Sequence, residues 1–201
     1  ATTESYTLSL HDALPISDGS YADICVVVVR DKGSNTISLA LVEMNSKGIT
    51  KNELKTLDPS RNHAELIFKD SPAEIMETGS ESWLCVEKCL DTAAILIAFE
   101  QIGGAEASLN MAKEYALDRY AFGRQIGSYQ AIKHKLADMY VKIELAKSNC
   151  YYGAMMLNDD GGDFKIAAAA SRVAATDAFN FAAQENIDRK STRLNSSHVK
   201  R

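Results

Sequence analysis

The chain has 201 residues, 46% of them apolar and 24% charged, which is ordinary for a globular protein holding one large domain or two small ones. A formal charge of -5 and a pI near 5.4 argue against broad nucleic-acid binding or docking on acidic membranes, both of which need a basic face. The longest apolar runs, Cys25 to Val29 and Ala93 to Phe99, fall far short of the about 20 residues that span a bilayer, and no basic stretch followed by an apolar one marks a secretory signal, so the expected address is cytoplasmic.

In chain order, residues 1–17 come first, and together with residues 189–201 they resemble translated sequencing-adaptor read-through. On that reading both segments are artefactual, His11 and His198 have no biological role, and the natural sequence continues beyond each end. From Asp18 to about Asp70 the signals are those of strands: an apolar run from Ile24 to Val29, alternation at Ile37, Leu39 and Leu41, and a third stretch around Ala64 to Phe68. Asp31-Lys-Gly33-Ser-Asn35 and Asn45-Ser-Lys-Gly48 are turn-type connections between them, so residues 18–80 are expected to form a small antiparallel β-domain. The first strand is apolar at every position, which predicts burial on both of its faces, with helices as cover.

From about Glu81 the apolar period becomes helical, and no proline follows Pro72, so residues 81–188 form the helical domain of an α+β protein. A first helix is expected over about 82–118, where Gly103-Gly104 permits close packing or a mild kink. A second begins near Ser128 or Tyr129, with Ile132, Leu136, Met139, Ile143, Ala146 and Cys150 as its buried stripe. A third spans about 164–187, starting after the turn Asn158-Asp-Asp-Gly-Gly162 with Asp163 as its cap, and its alanines favour both helix and tight packing.

The polar residues give little metal chemistry. Cys25, Cys85, Cys89 and Cys150 lie in apolar surroundings without Cys-x-x-Cys spacing and are expected to be reduced thiols; Cys85 and Cys89 share a helix face but have no histidine partner for zinc. Residues 158–163 have the flavour of a calcium loop but lack its regular acidic spacing and distal glutamate, so a helix-to-helix turn is expected. His63 and His134 have no recognisable second ligand.

The most specific stretch is Tyr115-Ala-Leu-Asp-Arg119-Tyr-Ala-Phe122-Gly123-Arg-Gln-Ile126, followed by Tyr129-Gln130 and Leu136-Ala-Asp-Met139. A guanidinium is a fork of donors suited to a pyrophosphate, Phe122 offers an aromatic face, and Gly123 lets the backbone turn between two helices. Read in isolation, Arg119 is better suited to a surface ion pair with Asp118 or Glu114 than to a ligand, while Arg124 and Lys133 read as solvated charges. Taken together, the pattern Arg-x-x-Phe-Gly-x-x-Ile, then Gln, then Leu-Ala-Asp-Met resembles the flavin-binding signature of the acyl-CoA dehydrogenase family.

The resemblance covers roughly Asp18 to Ile187 and implies the middle β-domain and part of the antiparallel four-helix bundle of such an enzyme. It implies FAD as cofactor, with Arg119, Phe122 and Gln130 binding it across a subunit interface in a homo- or hetero-oligomer. The implied reaction oxidises a CoA thioester to its 2,3-enoyl form and passes the electrons to an electron-transferring flavoprotein. Asp91 falls where the family often has an aspartate that contacts the acyl-CoA, in an Asp-x-x-Arg arrangement; the fourth position here is Ala94, and Asp91 reads equally as a plain exposed helix residue. One of the family's two places for the catalytic glutamate corresponds to Ala93, so no catalytic residue is assigned in this chain. Ala182-Ala-Gln-Glu-Asn-Ile187 resembles the approach to a Gln-x-His-Gly-Gly flavin loop, which this sequence does not contain. Two alternatives stand beside the active enzyme: a catalytically silent subunit of a hetero-oligomer, and a helical interaction domain without flavin.

Overall fold

A computed structural model describes residues 5–30, 35–57, 60–157 and 163–190. The expected turns at 31–35 and 158–162 fall wholly or mostly outside these residues. The chain divides into two compact units, residues 1–87 and 88–201, and each is described by itself.

The first unit is a five-stranded antiparallel sheet built around one long strand. Its strands are β1 (Ser5–Ser17), β2 (Ile24–Arg30), β3 (Ile37–Glu43), β4 (Ile49–Leu54) and β5 (His63–Thr78), in the order β1-β5-β3-β2 with β4 also on β5. β5 changes partner part-way along: residues 63–68 pair with β4, whereas residues 74–78 pair with β3. The bend between those segments carries Asp70 at φ 51, and there the Lys69 amide donates to the Gly48 carbonyl at 2.7 Å. The period-2 alternation of the strands directs Ala40, Val42, Met44, Ala64, Leu66 and Phe68 into one buried cluster.

One expectation for this sheet fails. β2 is not buried on both faces: Cys25, Val27 and Val29 pack against the cluster, while Ile24, Val26 and Val28 are 45–56% exposed. The strand lies at the end of the sheet order, with a neighbour on one side, and the core cluster covers one of its faces. Residues 5–17 form β1, which pairs with β5 in a register interrupted by three shifts, between Leu8 and Leu10, Leu10 and Ala13, and Ala13 and Ile16. Pro15, which cannot donate to a ladder, lies in the last interval.

The second unit contains the three expected helices. α1 runs over Ser80–Asp118, beginning before residue 88, and is followed by α2 (Gln130–Met156) and α3 (Phe164–Lys190). Their shared core is made largely of small side chains at helical spacing: Ala98, Ala105 and Ala112 on α1, Met139, Ile143, Ala146 and Cys150 on α2, and Ala175, Ala178 and Ala182 on α3. Lys135 pairs with Glu185 at 2.8 Å and Lys142 with Asp177 at 2.6 Å, which sets α2 and α3 antiparallel. α1 passes through Gly103-Gly104 without interruption, and a Cβ on Gly104 would lie 2.8 Å from the Phe179 ring, so close packing is the role this glycine fills. Leu96, Ile97, Val141, Leu145, Met155, Ile166 and Val173 point outward, leaving apolar faces on all three helices. Among the described residues no helix is long and apolar enough to cross a membrane.

The free thiols grade from exposed to inaccessible. Cys85 and Cys89 are exposed, Cys25 is half-buried and Cys150 is fully buried, and burial pushes the Cys25 and Cys150 thiols above the usual cysteine range. Both accessibility and the thiolate fraction govern alkylation. Maleimide at neutral pH is therefore expected to label Cys85 and Cys89 first, Cys25 slowly, and Cys150 only after denaturant separates α2 from α3. Peptide mass mapping of timed samples checks the order, and native-state labelling of Cys150 in the fast phase would contradict the packing.

Candidate functional site

The segment between α1 and α2 is a miniature hairpin. Helical hydrogen bonding continues as far as the Arg119 amide, which donates to Tyr115 O at 2.9 Å. The chain then extends as β6 (Tyr120–Ala121), turns at Phe122-Gly123 and returns as β7 (Arg124–Gln125), with Tyr120 opposite Gln125 and Ala121 opposite Arg124. Phe122 has φ 53 and Gly123 φ 79, the two positive values that a two-residue primed turn requires. A Cβ on Gly123 would meet nothing within 4 Å, so backbone conformation rather than space accounts for this glycine. Phe122 is the less usual occupant: left-handed backbone costs a non-glycine residue about 1–2 kcal/mol, and its side chain is 97% exposed.

The hairpin is closed at its base and braced from its far side. Ile126 N donates to Arg119 O at 2.8 Å, bringing the residue after β7 back to the end of α1. A 3-10 turn over Ile126–Ser128 follows, with Ser128 Oγ donating to Gln125 O at 2.6 Å. Tyr129 precedes α2, and its carbonyl accepts from the amides of Ile132 and Lys133, both at 3.1 Å. The same residue reaches back across the hairpin, donating its hydroxyl to Ala121 O at 2.9 Å, while the Arg124 guanidinium carbon lies 4.0 Å from its ring centroid.

The structure brings Arg119, Phe122 and Gln130 onto this one connection, all three exposed. Among the described residues no ion pair joins Arg119 to Asp118 or Glu114, and its side chain is exposed. Gln130 is the first residue of α2, and no side chain caps that helix end. Its amides therefore present the positive end of the helix dipole beside the glutamine. Asp91 lies elsewhere, within α1, and is only partly exposed; its Oδ2 is buried with no hydrogen-bond partner. Ala93 and Ala94 follow on the same helix, half-buried. Asn186 Oδ1, near the end of α3, is a second buried acceptor without a partner. Arg124 and Tyr129 are the residues that sequence reasoning missed. Their signal is faint, an aromatic just before a helix start and a cation just after a Phe-Gly turn, and it becomes meaningful only once the cross-strand register is known.

Residues 83–188 match the family described as acyl-CoA dehydrogenase, C-terminal domain. The chain is 39% identical over 132 residues to the acyl-CoA dehydrogenase IpdE2 of Mycobacterium tuberculosis, covering 66% of this chain and 37% of that protein. It is 34% identical over 182 residues to the short-chain specific acyl-CoA dehydrogenase of Megasphaera elsdenii, covering 86% of this chain and 47% of that one. The solved structure of butyryl-CoA dehydrogenase from Megasphaera elsdenii superposes with a TM-score of 0.87 at 27% identity, over 96% of this chain and 52% of that chain. The chain thus spans about half the length of these relatives or less. By family match, sequence identity and fold alike, the chain belongs to the acyl-CoA dehydrogenase family.

Proposed function

We propose that this chain is a segment of an FAD-dependent acyl-CoA dehydrogenase that oxidises a CoA thioester to the 2,3-enoyl-CoA and passes electrons to an electron-transferring flavoprotein. The observation that carries the reading is the α1–α2 hairpin, where a guanidinium with no ion pair among the described residues, a solvent-facing aromatic ring and an uncapped helix end with Gln130 occupy one short connection. These residues fit the cofactor: Arg119 supplies forked donors for a pyrophosphate, Phe122 a face for a ring or ribityl chain, and Gln130 donors and an acceptor beside the helix dipole. When bound, FAD accepts the hydride that leaves the substrate β-carbon. The chain's own residues bind and orient. Asp91, with one carboxylate oxygen buried and unpaired, is positioned for a polar contact with the acyl-CoA. The outward apolar faces of α1, α2 and α3 pack against other subunits of a homo- or hetero-oligomer in the cytoplasm.

A second reading is favoured by one specific feature. Ala93 stands where a carboxylate base could have stood, and Ala94 where the substrate-contacting guanidinium could have stood. An alanine cannot take the substrate α-proton, so a subunit with no glutamate elsewhere in its full length holds flavin without performing the oxidation.

One experiment separates the readings. The full-length gene product is purified, its flavin content is read from visible absorbance, and CoA thioesters from short to long are added without oxygen. Stoichiometric FAD that bleaches with at least one thioester is the expected result. Retained FAD that no thioester bleaches assigns the silent subunit, and a colourless protein that takes up no added FAD overturns the flavin reading.

A further inference from the structure

We infer that Tyr129 and Arg124 are positioning residues for the FAD contact, a clamp that holds the β6–β7 hairpin in its binding geometry before the cofactor arrives. This rests on the flavin reading above. A two-stranded ribbon of two residues per strand is not stable in water by itself, and here its tip adds a left-handed Phe122 at φ 53. Something outside the ladder must hold it. Tyr129 does so from two sides at once: its hydroxyl donates to the Ala121 carbonyl at 2.9 Å, and its ring lies under the Arg124 guanidinium at 4.0 Å. Ala121 and Arg124 are the cross-strand pair that flanks the Phe122-Gly123 turn, so the one tyrosine grips both strands next to the tip.

Position makes the clamp relevant to binding rather than to folding alone. Tyr129 immediately precedes Gln130 and supplies the carbonyl on which the first turn of α2 closes. Arg119, at the other end of the connection, is joined to it through the Ile126 amide. Through Tyr129, then, the strand pair carrying Phe122, the end of α1 carrying Arg119 and the start of α2 carrying Gln130 share one brace. A ligand that needs all three side chains in place binds with an apparent affinity reduced by the fraction of molecules in which they are not. Arg124 contributes its charge through the ring face, which a lysine also provides and a glutamine does not.

The test uses the full-length gene product freed of flavin, with FAD affinity measured for the wild type and for Arg119→Ala, Tyr129→Phe, Arg124→Gln and Arg124→Lys. Amide exchange at Ile126 in the flavin-free protein gives a readout of the hairpin independent of activity. Tyr129→Phe and Arg124→Gln are each expected to weaken FAD binding about 3–10-fold and to speed Ile126 exchange, with the thermal midpoint unchanged. Arg124→Lys is expected to restore most of the affinity. If Arg119→Ala weakens binding while Tyr129→Phe and Arg124→Gln leave it at the wild-type value, the clamp is overturned and the flavin site stands. If Arg119→Ala itself has no effect, the flavin site at this hairpin falls, and the clamp with it.

Discussion

Gly48→Ala is expected to destabilise the β-sheet unit by about 3–5 kcal/mol, because among the described glycines a Cβ at this position meets the tightest contact. Gly48 has φ +83, where an alanine is strained whatever its surroundings. Its added Cβ would also lie 2.0 Å from the Lys69 carbonyl oxygen and 3.0 Å from Ser71 Oγ. Backbone cannot rotate out of the way as a side-chain tip can. Lys69 is held there by the 2.7 Å bond from its own amide to the Gly48 carbonyl, so relieving the clash breaks that bond. This is also the point at which β5 leaves β4 and joins β3, and a shift here propagates into both ladders. Urea unfolding of the variant, with amide exchange along Ile49–Leu54 and its partners on β5, measures the effect. Gly103→Ala is the control: a Cβ there meets nothing within 4 Å and the residue lies inside α1. It is expected to gain about 0.5–1 kcal/mol through helix propensity. Equal stability of the Gly48 variant and the wild type would contradict the close approach of the β3–β4 turn to β5.

How much of this is legible in the residues depends on the range of the interactions involved. The apolar period predicts α1 from residue 82 and the helix begins at Ser80, while α2 and α3 start within one or two residues of their expected positions. Their signal is local, a 3.6-residue period bounded by turn residues. β2, β3 and the first part of β5 are legible in outline for the same reason. What fails is what depends on distant neighbours. Ile24, Val26 and Val28 are as apolar as Cys25, Val27 and Val29, and what leaves one set exposed is that the core cluster covers only the face to which the other set points. β6 and β7, at two residues each, are too short to carry any periodicity, so the residues predict only a glycine break there. Gly123 does turn the backbone, at φ 79, but nothing in the side chain of the preceding phenylalanine indicates that it shares the left-handed conformation. The grip of Tyr129 on Ala121 and Arg124 needs that register before it exists at all. At the site, the residue types in the signature are enough to single out Arg119, Phe122 and Gln130, whereas the part-burial of Asp91 depends on how α1 is covered.

The second large effect is expected at Arg119. Replacement by alanine should raise the dissociation constant for FAD in the full-length protein about 10–150-fold, the equivalent of about 1.5–3 kcal/mol for hydrogen bonds to a charged group. The fold should be indifferent to the change. Both backbone bonds that anchor this residue, from its amide to Tyr115 O and from the Ile126 amide to its carbonyl, survive truncation, and the side chain makes no ion pair with another described residue. A lost affinity with an unchanged thermal midpoint therefore reports on the ligand alone. Lysine at the same position keeps the charge but presents a single ammonium in place of a planar fork, so it should recover only part of the affinity. Salt gives an independent check. If the guanidinium contacts a pyrophosphate near the surface, raising ionic strength should weaken wild-type binding more than it weakens Arg119→Ala, and the two affinities should converge. Parallel salt dependences, or an alanine variant that binds FAD as tightly as the wild type, would remove Arg119 from the cofactor site and leave the exposed Phe122 without a functional reason for its strained backbone.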